Sequence, residues 1–357
     1  MLSHVKVIDL TSHLGAFSGR MLAELGATVI KAEPESGDPL REDPEAFTAW
    51  NHGKRSVVAP PYTSAFSALM AEADIVIRTT GIPHRYLQDL RPDIIDVVIS
   101  GFMPGSETLS EPVSDFTLMA RSGLMTIVGD PDRPPMTLPG EQAYALGAIQ
   151  AVTGALTALH ERALTGKGQL VEVSAFQSAV LANYREPLTW AWTGKTGNRT
   201  GNLLVRGKSG VRQVWACKDG FVTWALVDNP AMMKSFIRVM GEHAGELSEI
   251  RWEEILVADM PQAQLENWEA RIAGFFMLHD KATLAAWSAE NGLGLSQIDT
   301  PDDCLTSSQH AARDLWVDIN DVKYPGPLWA SSESTTPPVR RAPALDEGRQ
   351  AFLGGRI

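Results

Sequence analysis

The chain has 357 residues, 44% of them hydrophobic, ample for a large core and suggestive of two domains or one domain with a sizeable insertion. Its formal net charge of −12 argues against a general nucleic-acid or anionic-membrane binder, whose affinity comes from clustered Lys and Arg. Cys217 and Cys304 form neither a disulfide framework nor a thiolate metal spacing, no stretch reaches the ~20 apolar residues of a membrane span, and the amino terminus lacks a secretory pattern, so a cytoplasmic protein without a metal is expected.

The first predicted element is a buried strand, Val5-Lys6-Val7-Ile8-Asp9-Leu10. Gly15-Ala16-Phe17-Ser18-Gly19 then opens a helix that ends at Gly26, and Ala27-Thr28-Val29-Ile30-Lys31-Ala32 forms the second strand. This is a βαβ start, which calls for a parallel sheet covered by helices. A helix over 65–73, a strand over 74–77 and another over 94–100 continue the alternation, giving four parallel strands in the first hundred residues. Small and apolar residues over 144–164, with Gly147 and Gly154 on one helix face, predict a long buried helix packed closely on a neighbour. Gly166 and Gly168 turn the chain into the strand Leu170-Val171-Glu172-Val173. Residues 193–210 are rich in Gly, Lys, Arg and Asn and read as a linker. Beyond it, Val214-Trp215-Ala216-Cys217 and Phe221-Val222-Thr223-Trp224 flank an Asp-Gly turn and predict a hairpin. The aromatic positions Trp252, Trp268 and Trp287 read as core, and the prolines Pro325, Pro327, Pro337 and Pro338 as an extended arm. The expected organisation is a large α/β domain over 1–195, a linker over 196–212, a small α+β domain over 213–305, and a C-terminal segment over 306–357.

Two nucleotide-binding patterns are suggested and then fail. The first βαβ unit places Glu33 where a ribose-binding acid would stand, but G-x-x-x-G lacks the paired glycines that let a pyrophosphate reach the backbone. Gly201 and Gly207-Lys208-Ser209 are spaced by five residues where a phosphate loop needs four. Neither a serine-hydrolase elbow nor a histidine or cysteine metal cluster is present.

A different set of blocks covers most of the chain. Val7-Ile8-Asp9-Leu10-Thr11, then Leu22-Ala23-Glu24-Leu25-Gly26-Ala27-Thr28-Val29-Ile30-Lys31-Ala32-Glu33-Pro34, then Ser36-Gly37-Asp38-Pro39-Leu40-Arg41 come first. Asn51-His52-Gly53-Lys54-Arg55-Ser56-Val57, Ser100-Gly101-Phe102 and Ser122-Gly123-Leu124-Met125 follow. Ala158-Leu159-His160-Glu161-Arg162, Thr165-Gly166-Lys167-Gly168-Gln169, Val171-Glu172-Val173-Ser174 and Asp219-Gly220-Phe221-Val222 complete the series. In this order the blocks resemble the class III CoA-transferases, the group of carnitine-CoA and formyl-CoA transferases, with α-methylacyl-CoA racemase as a further relative.

The resemblance implies an open Rossmann-like sheet built from both chain ends, so that the segment 306–357 returns to the large domain, with a smaller α+β lobe, and two chains threaded into an interlocked dimer. It implies coenzyme A as substrate or ligand, with an acyl-CoA and a small carboxylic acid as partners. Arg41, Lys54 and Arg55 stand in blocks that match the family's nucleotide side, and Phe102 and Met103 stand beside its pantetheine channel. The family's transferases attack the acyl-CoA with an aspartate four residues before the glycine matched by Gly147, passing through a mixed anhydride and a CoA thioester. That position is Ala143. Racemase relatives pair this aspartate with a histidine whose position here is Ser114. The first loop, Ser12-His13-Leu14-Gly15-Ala16-Phe17, and the loop Thr79-Thr80-Gly81-Ile82-Pro83 also depart from the family pattern.

Glu141 is the only acid close to the lost position, and His13 is the candidate acid or base of the first loop. The expectation is therefore a CoA-transferase-like protein that works through a substitute carboxylate. The alternatives left open are a non-catalytic CoA-binding subunit, in a homodimer or beside a paralogue, and a racemase-like enzyme.

Overall fold

The structure is a computed structural model that describes residues 1–79, 81–103, 105, 113–333 and 335–353. Thr80, in one of the two altered loops, lies outside them. The chain separates into two units, one formed by 1–126, 136–197 and 307–357, the other by 127–135 and 198–306.

The first unit is built on six parallel strands. In chain order it runs β1 (Lys6–Leu10), α1 (Ala16–Glu24), β2 (Thr28–Glu33), α2 (Pro44–Asn51), β3 (Arg55–Val58), α3 (Ser64–Glu72), β4 (Ile75–Arg78), α4 (His84–Leu90) and β5 (Ile95–Ser100). It continues through α5 (Asp115–Arg121), α6 (Gln142–Thr165), β6 (Gln169–Ser174), α7 (Ala175–Leu181) and α8 (Arg185–Thr193). The strand order is β3-β2-β1-β4-β5-β6. Successive residues of a strand point to opposite faces, so Val7, Val29, Ile77 and Val97 pack beneath α1 and α6, while Ile8, Ile30 and Val76 meet Phe66, Leu69, Met70 and Leu87 of α3 and α4. β3 was not expected from the sequence, because only Val57 and Val58 give it apolar character. Its free edge is covered by the C-terminal segment: Val58 N donates to Asp346 at 2.8 Å and Gly348 N to the Ser56 carbonyl at 2.7 Å.

α6 runs 24 residues and ends on Gly166 in the left-handed conformation. Its close approach to its neighbours depends on glycine at 154, where an added Cβ would stand 2.7 Å from Val171.

In the second unit the stretch expected as a linker contains a hairpin, β7 (Leu203–Arg206) with β8 (Ser209–Arg212), and the Gly207-Lys208 motif is its turn. β9 (Val214–Cys217) and β10 (Gly220–Thr223) form the hairpin read from the sequence. Trp252 and Trp268 are buried 5.4 Å apart between ring centroids, with Trp287 packed on the same core, as expected. Residues 127–135 are tied in by Gly201 N to the Gly129 carbonyl and Arg199 Nε to the Asp130 carbonyl, both 3.1 Å.

Candidate active site

Near the end of β1, Asp9 is fully buried. A buried carboxylate must be matched by donors, and Asp9 takes Thr11 N at 2.8 Å, Thr11 Oγ1 at 2.6 Å and Lys54 Nζ at 2.7 Å. Burial alone would raise its pKa, but Lys54 and Lys31 hold it below the usual range. Lys54 Nζ also donates to the Ala16 carbonyl and Asn51 Oδ1, each at 2.7 Å, which uses all three of its protons. Burial pushes this ammonium down to about 8, against the pull of Asp9. Gly19 makes room for the pair, since a Cβ there would sit 2.5 Å from Asp9 Oδ2. Next to it, Lys31 donates to the Thr11 carbonyl at 2.7 Å and pairs with Asp38, which accepts from Ser12 Oγ at 2.6 Å. The root of the first loop is thus fastened by a buried charge network.

The tip of that loop is different. His13 is half exposed and its Nδ1 lies 3.7 Å from Glu141 Oε1. Glu141 is the N-cap residue of α6 and its side chain makes no cap bond, so its carboxylate is free at the positive end of a helix 24 residues long. Asp115 supplies the missing cap, accepting from Tyr144 N at 3.0 Å. Burial, followed by the charges of Glu141 and Asp115, raises the Tyr144 pKa, so its hydroxyl keeps its proton. Ser114 caps α5 through Thr117 N at 3.2 Å. Ser12, His13, Leu14, Thr79, Ser114, Asp115, Glu141 and Tyr144 line one cleft of about 540 Å³.

Of the residues expected from sequence, this cleft gathers only His13 and Glu141. Ala143 is fully buried and faces inward, among Phe102, Leu118, Met119, Ala175 and Ala179. Phe102 belongs to that same core, 5.4 Å from Phe176, and Met103 follows it half-buried. Arg41 is fixed by a two-pronged bond to Glu33, both arms 2.6 Å, and lies over the Phe47 ring. Arg55 stands at the start of β3, away from the cleft, with no ion pair to any described residue. Arg41 and Lys54, expected on the nucleotide side, are each held in an ion pair, with Glu33 and Asp9 respectively. Sequence reasoning missed Tyr144 and the capping role of Asp115. The signal was Asp115 following Ser114 at the head of a helix, but its partner lies 29 residues away.

Among the described residues no group of three His, Cys, Asp or Glu is placed to hold a metal, and no helix is long and apolar enough to cross a membrane.

Comparison with known proteins gives one answer. The chain is 25% identical to the succinyl-CoA:(R)-benzylsuccinate CoA-transferase subunit BbsE of Thauera aromatica, over 98% of this chain and 93% of that protein. It is 27% identical to the succinyl-CoA–D-citramalate CoA-transferase of Chloroflexus aurantiacus, over 90% and 84%. The crystal structure of a CAIB/BAIF family protein from Brucella suis superposes with a TM-score of 0.86 at 25% identity, over 99% of this chain and 98% of that one. The CoA-transferase family III pattern matches residues 2–349, and the chain belongs to that family.

Proposed function

We propose that this protein moves coenzyme A between an acyl-CoA and a small carboxylic acid, with Glu141 as the attacking carboxylate. The observation that carries the reading is the cleft itself: Glu141 faces it beside His13, whereas residue 143 faces the core. The steps balance. The Glu141 carboxylate adds to the thioester carbonyl and expels CoA thiolate, leaving an acyl-glutamyl anhydride. The thiolate attacks the glutamyl carbonyl of that anhydride, releasing the first acid and leaving a glutamyl-CoA thioester. The second acid's carboxylate attacks this thioester, forms a new anhydride and expels the thiolate. The thiolate then takes the acceptor's acyl group and returns Glu141. His13, with a ring nitrogen 3.7 Å from the carboxylate, orients it, and the Tyr144 hydroxyl offers a proton toward the developing oxyanion. Ser114 offers no imidazole for α-proton exchange, which counts against the racemase alternative.

A second chain accompanies this reading. α8 buries none of its residues, leaving Leu188, Trp190 and Trp192 exposed, and the edge strand β6 exposes Leu170. The exposed apolar face of α8 supports a dimer. BbsE is named as a subunit, and Ala143 offers no nucleophile, so the second reading is a CoA-binding chain whose paralogue supplies the carboxylate.

Steady-state assay of purified protein with succinyl-CoA and a panel of carboxylates separates the two. Transfer by the isolated chain, with Glu141→Gln losing at least about a hundredfold in kcat and little in KM, supports Glu141. Transfer that appears only with the paralogue, and is indifferent to Glu141→Gln, replaces it with the second reading.

A further inference from the structure

A second cavity lies at the other end of the strands, ahead of β2 and β3. The Glu141 cleft opens after β1 and β4, through Ser12 and Thr79; this one is bounded by Gly26 and Ala27 ahead of β2 and by His52 and Gly53 ahead of β3. The two share no lining residue. Its volume of about 160 Å³ exceeds the ~10–15 Å³ that one water needs by the same measure.

Two polar atoms at its inner end are unmatched. The His52 side chain is 2% exposed and the Glu24 side chain 8%; neither His52 Nε2 nor Glu24 Oε2 has a partner at full hydrogen-bond geometry among the described residues, the Leu328 backbone N–H being a further donor toward the Glu24 carboxylate. They do not satisfy each other: Nε2 is 4.0 Å from Glu24 Oε1, which already accepts from Arg20 Nε at 2.8 Å. Natural proteins rarely leave such atoms unfilled, because each costs the lost solvation of a polar group. Burial, then the Arg20 and Lys54 charges, hold the His52 ring neutral, with its pKa at about 3.

The outer end has the opposite character. Arg55 and Arg340 both line it, and neither makes an ion pair with a described residue. Pro327, Pro337 and Pro338 give it an apolar flank.

We propose that this cavity binds a small amino or hydroxy carboxylate, its carboxylate held between Arg55 and Arg340 and its N–H or O–H directed inward to His52 Nε2 and Glu24 Oε2. Guanidinium pairs recognise carboxylates in two-pronged geometry, and Glu24 Oε2, with His52 Nε2 in the ring's Nδ1–H tautomer, accepts from a donor, so a ligand needs both ends. Such a ligand joins the extended segment 336–340 to α1 and β2. It therefore acts away from the thioester chemistry, as an effector.

Calorimetry on the full-length protein tests this with four probes: glycine, glycolate, acetate and methylammonium. Glycine or glycolate should bind, with the tighter of the two showing whether the donor is an ammonium or a hydroxyl. Acetate and methylammonium, each lacking one end, should bind at least about tenfold more weakly. Arg340→Gln, on the exposed arm, should weaken binding by a similar factor, and so should His52→Asn. Glu141→Gln should leave it unchanged, which separates this site from the active cleft. No heat from any probe at tens of millimolar overturns the proposal, as does binding of acetate equal to that of glycolate. Affinity unchanged in Arg340→Gln overturns it even if His52→Asn fails to fold.

Discussion

The first loop has two ends that obey opposite rules. At its root, Asp9, Lys54, Lys31 and Asp38 are buried and each charge is met by a partner within 3 Å. At its tip, His13 and Glu141 face a cleft 3.7 Å apart, neither fully matched. The root contains the residues that look most like a family signature, and their charges are matched inside the fold. Chemistry requires capacity left over, and here it is found at the tip.

The largest effect should come from breaking the root. Lys54→Met leaves the Asp9 carboxylate buried without its cation, which costs about 3–5 kcal/mol, measured as a fall in the urea midpoint at constant slope. A loss below about 1 kcal/mol would place water at Asp9 and undo the contrast between root and tip.

Next comes Ala143→Asp. With the native side chain fully buried among Phe102, Leu118 and Met119, a carboxylate there should destabilise by about 2–3 kcal/mol and add no transferase activity. A stable, more active variant would mean that residue 143 faces the cleft after all.

The third effect is on pH. His52 has its pKa lowered from 6.5 to about 3, so between those values the unfolded chain binds the extra proton and stability falls as pH falls. Between pH 7 and pH 5 the loss should be about 1–2 kcal/mol, and His52→Asn should remove that part of the slope in thermal melts. An unchanged slope would show that the ring is charged in the folded state.

The smallest effect tests a half-buried cation. Arg55 has no ion pair to a described residue, so Arg55→Gln should change stability by less than about 0.5 kcal/mol. A larger loss in the same melts would put Arg55 in a network like that of Arg41.

How much of this could be read beforehand follows from the range of each interaction. β1, β2, β4 and β5 are apolar runs between turn residues, and α6 is an unbroken small-residue helix, so local pattern alone places them. β3 escaped because Arg55 and Ser56 make its start polar. The hairpin of β7 and β8 escaped because Gly207 and Lys208 read as linker composition while serving as a turn. The root network joins Asp9 to Lys54 across 45 positions and Thr11 to Lys31 across 20, and no local pattern reports such pairs. The blocks that carry the family resemblance were legible, but which cations in them remained free was not. That depends on Glu33 reaching Arg41, and on Asp9 reaching Lys54. For the site, Glu141 was legible as the nearest acid to Ala143, whereas the inward turn of Ala143 itself depends on how α6 meets α7 and on the core around Phe102.

The most direct test of Glu141 as the attacking group is mass spectrometry of the peptide spanning residues 141–148 after incubation with succinyl-CoA and trapping with hydroxylamine or borohydride. The account predicts a modification on Glu141, absent from Glu141→Gln. Turnover with that peptide unmodified, or a modification elsewhere in the chain, would contradict it.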